Sequence, residues 1–172
     1  MTAVLPDILE AGLSAIFCGI NPGLRAAGAG HHFAGHSNRF WQALHLAGFT
    51  PNRLAPEEDR RLLEFGYGIT AVVSRASRAA AEVNVAELRT GLRQLETKIQ
   101  LLRPQAVVFL GKPAWTVHIK QSSFDWGRQP QTFGGSEAWV LPNPSGLNRN
   151  FSLDDLVTAY REMRLALGRQ LN

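Results

Sequence analysis

Two asparagines on proline-stiffened corners are the residues of this chain best suited to chemistry. Asn21 lies in Gly19-Ile20-Asn21-Pro22-Gly23, and Asn143 lies much later in Pro142-Asn143-Pro144-Ser145-Gly146. Proline fixes its own φ and biases the preceding residue toward extended backbone, while Gly23 is free to take positive φ. Each carboxamide is thereby held on a stiff turn. An isolated Asn-Pro-Gly is an ordinary surface turn; a second corner of the same kind argues for more. An amide is neither a general acid nor a general base near neutral pH, but it can orient a water molecule by accepting one of its hydrogens. No Asp or Glu occurs between Ala11 and Pro56 to take over from Asn21. The chemistry would rest on positioning, and on a leaving group that departs with little help. A nucleobase leaving its deoxyribose as an anion suits that description, because the sugar can carry the positive charge.

Other side chains add to this or compete with it. Leu147 and Arg149 follow the late corner in Gly146-Leu147-Asn148-Arg149-Asn150. Leu147 is either an apolar wedge that fills the gap left by an extruded base, or a hydrophobic staple for the helix that follows. Arg149 could contact a phosphate or a base edge. Phe33 is either a stacking platform for a base or a core residue. His31, His32 and His36 share its loop, but their spacing matches no familiar metal pattern and no carboxylate lies near in sequence, so no metal is expected. Cys18, the single cysteine, sits in an apolar run and reads as packing. Gly28-Ala29-Gly30 lacks the third glycine of a dinucleotide fingerprint, and Gly111-Lys112 is followed by Pro113, which excludes a phosphate loop. No cofactor is implied.

The elements that must position these residues are an alternation of strands and helices. Ala15-Ile16-Phe17-Cys18, Ile69-Thr70-Ala71-Val72-Val73, Ala106-Val107-Val108-Phe109-Leu110 and Ala138-Trp139-Val140-Leu141 are apolar runs of strand length. Helices are predicted at about 38–46, 56–65, 85–102 and 113–119, with a last one capped by Ser152. Asn84 and Glu87 form a capping arrangement, and Leu88, Leu92, Leu95, Ile99 and Leu102 make a buried stripe. On the last helix Leu156, Tyr160, Met163 and Leu167 do the same. Residues 24–37 read as one long loop. Continuous apolar strands separated by helices mean a mainly parallel sheet covered on both sides. Three of the strands end in Gly/Pro corners, which would line one cleft at the carboxyl edge.

Bulk properties set outer bounds. A length of 172 residues suggests one domain, 1–172, and no apolar run approaches a membrane span. With one cysteine and no basic leader, a reducing cytoplasm is expected. The net charge of +4 is modest but unevenly placed. Residues 97–124 and 138–153 are also free of acids, so both corners sit in basic surroundings that would suit phosphates. Lys98, Lys112 and Lys120 are the only lysines; the remaining cations are arginines, whose forked guanidinium matches phosphate oxygens.

The two corners, in this order, together with Asn38-Arg39-Phe40-Trp41, Ala47-Gly48-Phe49-Thr50 and Leu110-Gly111-Lys112, resemble the pattern of the mismatch-specific uracil/thymine-DNA glycosylases, a branch of the uracil-DNA glycosylase superfamily. The similarity runs from about Leu13 to Leu167. It implies a three-layer α/β/α sandwich with a short, mainly parallel four-stranded sheet. It also implies a monofunctional glycosylase, acting as a monomer, that flips uracil, and thymine or etheno-adducts as further candidates, out of G·U or G·T mismatches in double-stranded DNA. By the resemblance Asn21 positions the attacking water, and Ile20, Gly23, Phe33 and Asn143 belong to the base pocket. Gly146, Leu147 and Arg149 intercalate and contact the unpaired guanine, while Lys112 and Ser145 contact the DNA backbone. The chain departs from the pattern at Ala71, where relatives tend to carry lysine, at Arg25 and Ala26, and at His31-His32; these bear on substrate range. A mismatch-sensing module without chemistry, and a small nucleotide hydrolase, are the rival readings.

Overall fold

The computed structural model describes residues 4–169. In chain order the regular elements are β1 (Ala15–Gly19), α1 (Leu24–Ala29), α2 (Phe40–Leu46), β2 (Tyr67–Ala71), α3 (Val85–Leu102), β3 (Ala106–Leu110), α4 (Pro113–Ile119), β4 (Gly127–Phe133), β5 (Ser136–Leu141) and α5 (Leu153–Arg169). Two 3-10 helices, Pro56–Phe65 and Ala80–Glu82, interrupt the connections on either side of β2.

The sheet runs in the order β2-β1-β3-β5-β4. The four apolar runs mark its four parallel strands, with Phe17 beside Ile69 and Val108, and Val108 beside Trp139; β2 begins at Tyr67 and ends at Ala71, so Val72 and Val73 of the expected strand lie beyond it. The fifth strand corrects the expected count of four. β4 pairs antiparallel with β5 at the edge, with an irregularity between Arg128 and Thr132. Its sequence Gly-Arg-Gln-Pro-Gln-Thr-Phe hides it, since only Gln129 and Phe133 are buried and Pro130 cannot donate to a ladder. An edge strand tolerates both features.

Alternate residues of each central strand feed two cores, as the period of two requires. Phe17, Val108, Leu110, Trp139 and Leu141 meet α2 and the buried stripe of α5. Ile16, Cys18, Val107, Phe109 and Val140 meet α3 and α4 through Leu88, Leu92, Leu95, Ile99 and Trp115. The domain is therefore an α/β fold with a mostly parallel sheet covered by helices on both faces.

Helix ends follow the sequence closely at two places. Asn84 Oδ1 accepts the Glu87 N–H at 2.8 Å, and Ser152 Oγ accepts the Asp155 N–H at 3.1 Å while Asp155 returns the bond to the Ser152 N–H. Elsewhere the backbone differs from expectation. Residues 24–29 are helical instead of loop, because Ala26 and Ala27 bury against the core and Gly30 stops the turn in the left-handed region. The segment 56–65 is a 3-10 helix, and α2 begins at Phe40, whose N–H is taken by Asn38 Oδ1. Gly23 has φ −71° and acts as the extended residue before α1, so its expected positive φ is not used.

Candidate active site

The carboxyl ends of β1, β2, β3 and β5 open into one cleft of about 540 Å³. It brings together Ile20, Asn21, Gly23, Phe33, Ala71, Lys112, Asn143, Ser145 and Leu147. Gly146 and Arg149, also expected at the site, do not line it; Arg149 lies exposed on the loop beyond. The corners meet closely. A Cβ on Gly111, whose φ is +110°, would lie 3.7 Å from both Asn143 Cβ and Ile20 Cδ1.

Asn21 is fixed with its oxygen free of these contacts. Its Nδ2 donates to the Arg75 carbonyl at 2.8 Å and to Ser77 Oγ at 2.8 Å. Ser77 Oγ in turn donates to the Ala79 carbonyl at 2.7 Å, so toward Asn21 it can only accept. Two acceptors on one side decide the orientation of the amide: nitrogen inward, Oδ1 available to a water. The segment that supplies them is held in place as well. The Ser77 N–H donates to the Pro22 carbonyl at 3.1 Å, and the Arg75 guanidinium forks onto Glu87 at 2.9 and 3.1 Å.

Phe33 packs against the core and also faces the cleft. Its ring stacks on buried Phe40 at 3.9 Å with an interplanar angle of 26°, and it also lines the cleft. At Gly19, where a side chain would begin, Phe33 Cζ lies 4.0 Å away, which sets the ring over the end of β1. Leu147 is not a staple. It is 69% exposed, and its N–H is taken by Ser145 Oγ at 3.2 Å.

The loop bearing Leu147 is tied down by a residue whose part the sequence did not announce. The Arg39 guanidinium donates to the carbonyls of Phe151, Asn148, Ser145 and Pro144 at 2.6, 3.0, 3.1 and 3.4 Å. Its backbone N–H adds a bond to Pro144 at 3.0 Å. Tyr160 holds the start of the same corner through the Pro142 carbonyl at 3.0 Å, and burial pushes its phenol well above the ordinary value. Within the loop, Asn143 Oδ1 accepts the Ser145 N–H at 2.9 Å and the Asn143 carbonyl accepts from Asn148 Nδ2 at 2.9 Å. Gly146 lies so close to Ser37 that a Cβ there would collide with the Ser37 side chain and sit 2.8 Å from its carbonyl oxygen. Gly146 thus serves the docking of the loop.

Lys112 is partly engaged within the protein. Its Nζ donates to the Phe124 carbonyl at 3.0 Å and stands 5.0 Å over the Phe124 ring and 4.7 Å over Trp126. Trp126, a cleft residue the sequence reading missed, is 38% exposed and meets Phe151 edge-on at 5.3 Å. The remaining candidates have structural places. Cys18 is buried and its thiol is raised well above the usual range by desolvation first and the charge of Asp7 second. His32 turns its ring to the Pro6 carbonyl and His31 turns to Asp59, and among the described residues no three His, Cys, Asp or Glu side chains gather as a metal site.

Comparison with known proteins agrees with this architecture. The solution NMR structure of a Methanosarcina acetivorans protein, named as a candidate uracil DNA glycosylase, is similar in fold, with a TM-score of 0.59 over 95% of this chain and 98% of that one at 17% identity. The family model described as uracil DNA glycosylase superfamily matches residues 6–164, which include every strand, both corners and all of the cleft lining except Leu5. The chain therefore belongs to the uracil DNA glycosylase superfamily, whose members are DNA glycosylases that hydrolyse N-glycosyl bonds.

Proposed function

We propose that this protein is a monofunctional glycosylase that excises uracil from mismatches with guanine in double-stranded DNA. Thymine and etheno-adducts are further substrates to be ranked. The observation that carries the reading is the shared cleft, with a fixed carboxamide at Asn21, an aromatic face at Phe33 and an exposed apolar finger at Leu147.

In this reading Leu147 enters the duplex and occupies the space of the extruded nucleotide, offsetting an unstacking cost of a few kcal/mol. The base stacks on Phe33. The glycosidic bond breaks with both electrons going to the base, which leaves as an anion, and the sugar becomes an oxocarbenium ion. Backbone N–H groups of the pocket stabilise the departing charge. A water that donates one hydrogen to Asn21 Oδ1 adds to C1′ and releases a proton to solvent, giving an abasic site and free base. The absence of a carboxylate among the residues lining the cleft fits a mechanism of positioning. Lys112, the one lysine there, is occupied by Phe124 and two ring faces, which fits hydrolysis without a Schiff base.

Incubation with a labelled duplex carrying one G·U pair, followed by alkali, tests the proposal. Cleavage at the uracil position is expected; binding without alkali-labile sites would favour the mismatch-sensing module instead. Turnover of free nucleotides would point to the nucleotide hydrolase.

A further inference from the structure

We infer that Asp59, acting with Trp41, is a positioning residue for the aromatic platform: its buried carboxylate holds the peptide before His32, Trp41 holds the peptide after it, and the two together fix the left-handed backbone of Phe33. The inference rests on the reading that Phe33 stacks the flipped base.

Phe33 has φ 56°, a conformation that bulky L-residues rarely adopt because Cβ crowds the neighbouring carbonyl. Such a backbone persists only where its surroundings over-determine it. The determinants converge on the preceding residue. The His32 N–H donates to Asp59 Oδ2 at 3.0 Å, the Trp41 indole N–H donates to the His32 carbonyl at 3.0 Å, and the His32 ring Nε2 lies 2.8 Å from the Pro6 carbonyl. The His32 carbonyl belongs to the peptide plane that leads into Phe33, so holding it sets the plane about which φ of Phe33 turns. Stacking on Phe40 then fixes the ring.

Asp59 comes from the 3-10 helix Pro56–Phe65 and does not line the cleft, yet it is only 5% exposed. A carboxylate in that position is costly unless its oxygens are matched. Oδ2 is matched by the His32 N–H, and His31 Nδ1 lies 3.5 Å from the same oxygen. His32 is thereby anchored through its N–H to Asp59 and through its ring to Pro6, while His31 Nδ1, buried, makes no hydrogen bond and only lies beside the same carboxylate. Asp59 reaches the reaction only through Phe33, by keeping the ring where a base can lie on it.

The test combines single-turnover excision from a G·U duplex with amide hydrogen exchange at His32. Asp59→Ala is expected to slow excision about 10-fold at saturating enzyme, the scale of one lost stacking contact, with duplex affinity changed less than about 2-fold. Its His32 amide exchanges faster than in wild type. Asp59→Asn keeps an acceptor oxygen, so both rate and protection stay near wild type. Trp41→Phe, which keeps a six-membered ring in the core and loses the pyrrole ring with its N–H, slows excision, and its circular-dichroism spectrum stays that of the wild type. In a Phe33→Ala background the Asp59→Ala change adds no further loss, since the group it positions is gone. Equal exchange at His32 in wild type and Asp59→Ala, or an equal loss of rate with and without the Phe33 ring, overturns the inference. A Phe33→Ala variant as fast as wild type would overturn the stacking reading itself, while the exchange result judges the anchor independently.

Discussion

Ser77 Oγ lies 2.8 Å from Asn21 Nδ2 and is committed to the Ala79 carbonyl through its own hydrogen. That relationship makes the hydroxyl an acceptor toward the amide and leaves Asn21 Oδ1 facing away from it. Ser77→Ala removes one of the two bonds that orient the carboxamide, with the Arg75 carbonyl remaining. A single neutral hydrogen bond is worth about 1 kcal/mol, so single-turnover excision should slow about 5-fold. Duplex affinity should be unchanged, which a binding titration on the same variant checks.

Arg39 spans the fold from the start of α2 to the loop that carries Leu147, and four carbonyls accept from its guanidinium. Lysine cannot reproduce that fork. Arg39→Lys should lower the urea midpoint, with unfolding free energy falling by about 2 kcal/mol for the lost charge-assisted bonds. If Leu147 is inserted as proposed, the variant should also weaken binding to a mismatch more than binding to matched duplex, because the loop carrying Leu147 is what loosens.

Arg25 and Arg78 line the cleft, are exposed, and form no ion pair with any described residue. The parallel bridge between Gly23 and Ser77 sets their segments side by side. If each meets one phosphate, each alanine variant should reduce the slope of log K against log salt by about 0.9. Affinity measured across a salt series reads that slope directly.

Cys18 is buried against the α3–α4 core, and its thiol is held above the ordinary value by desolvation. Thiol reagents should leave the folded protein untouched and react fully once it is unfolded in denaturant. The sign of the pH effect follows. The unfolded thiol gives up its proton at lower pH than the folded one, so the contribution to stability is complete below the ordinary thiol range and is lost as pH rises through and beyond it. Cys18→Ala should flatten the alkaline fall in a stability-against-pH series.

The four parallel strands, the buried stripes of α3 and α5 and the two corners were legible because apolar periodicity and Pro/Gly punctuation act locally. β4 was not: its residues Arg128 to Thr132 are mostly exposed, and an edge strand needs only Gln129 and Phe133 inside. Asn21 and Leu147 could be singled out by type and setting, but the groups that fix them could not. Arg75 contributes a backbone carbonyl and Arg39 bonds to carbonyls more than 100 positions away, and neither leaves a trace in residue type. Asp59 has no mark in the sequence beyond its place in the predicted helix at 56–65, and only the fold turns its carboxylate inward to His32. Interactions with the main chain are specified by the fold as a whole.

In the proposed mechanism a water held by Asn21 captures the sugar cation once the flipped base departs. Single-turnover excision from a duplex with one G·U pair, by wild type and by Asn21→Ala, tests it most directly. Wild type should form abasic sites, and the variant should do so at least about 100-fold more slowly, with duplex affinity kept, since misplacing the nucleophile is expected to cost on that order. An Asn21→Ala protein that excises uracil at the wild-type rate would contradict it.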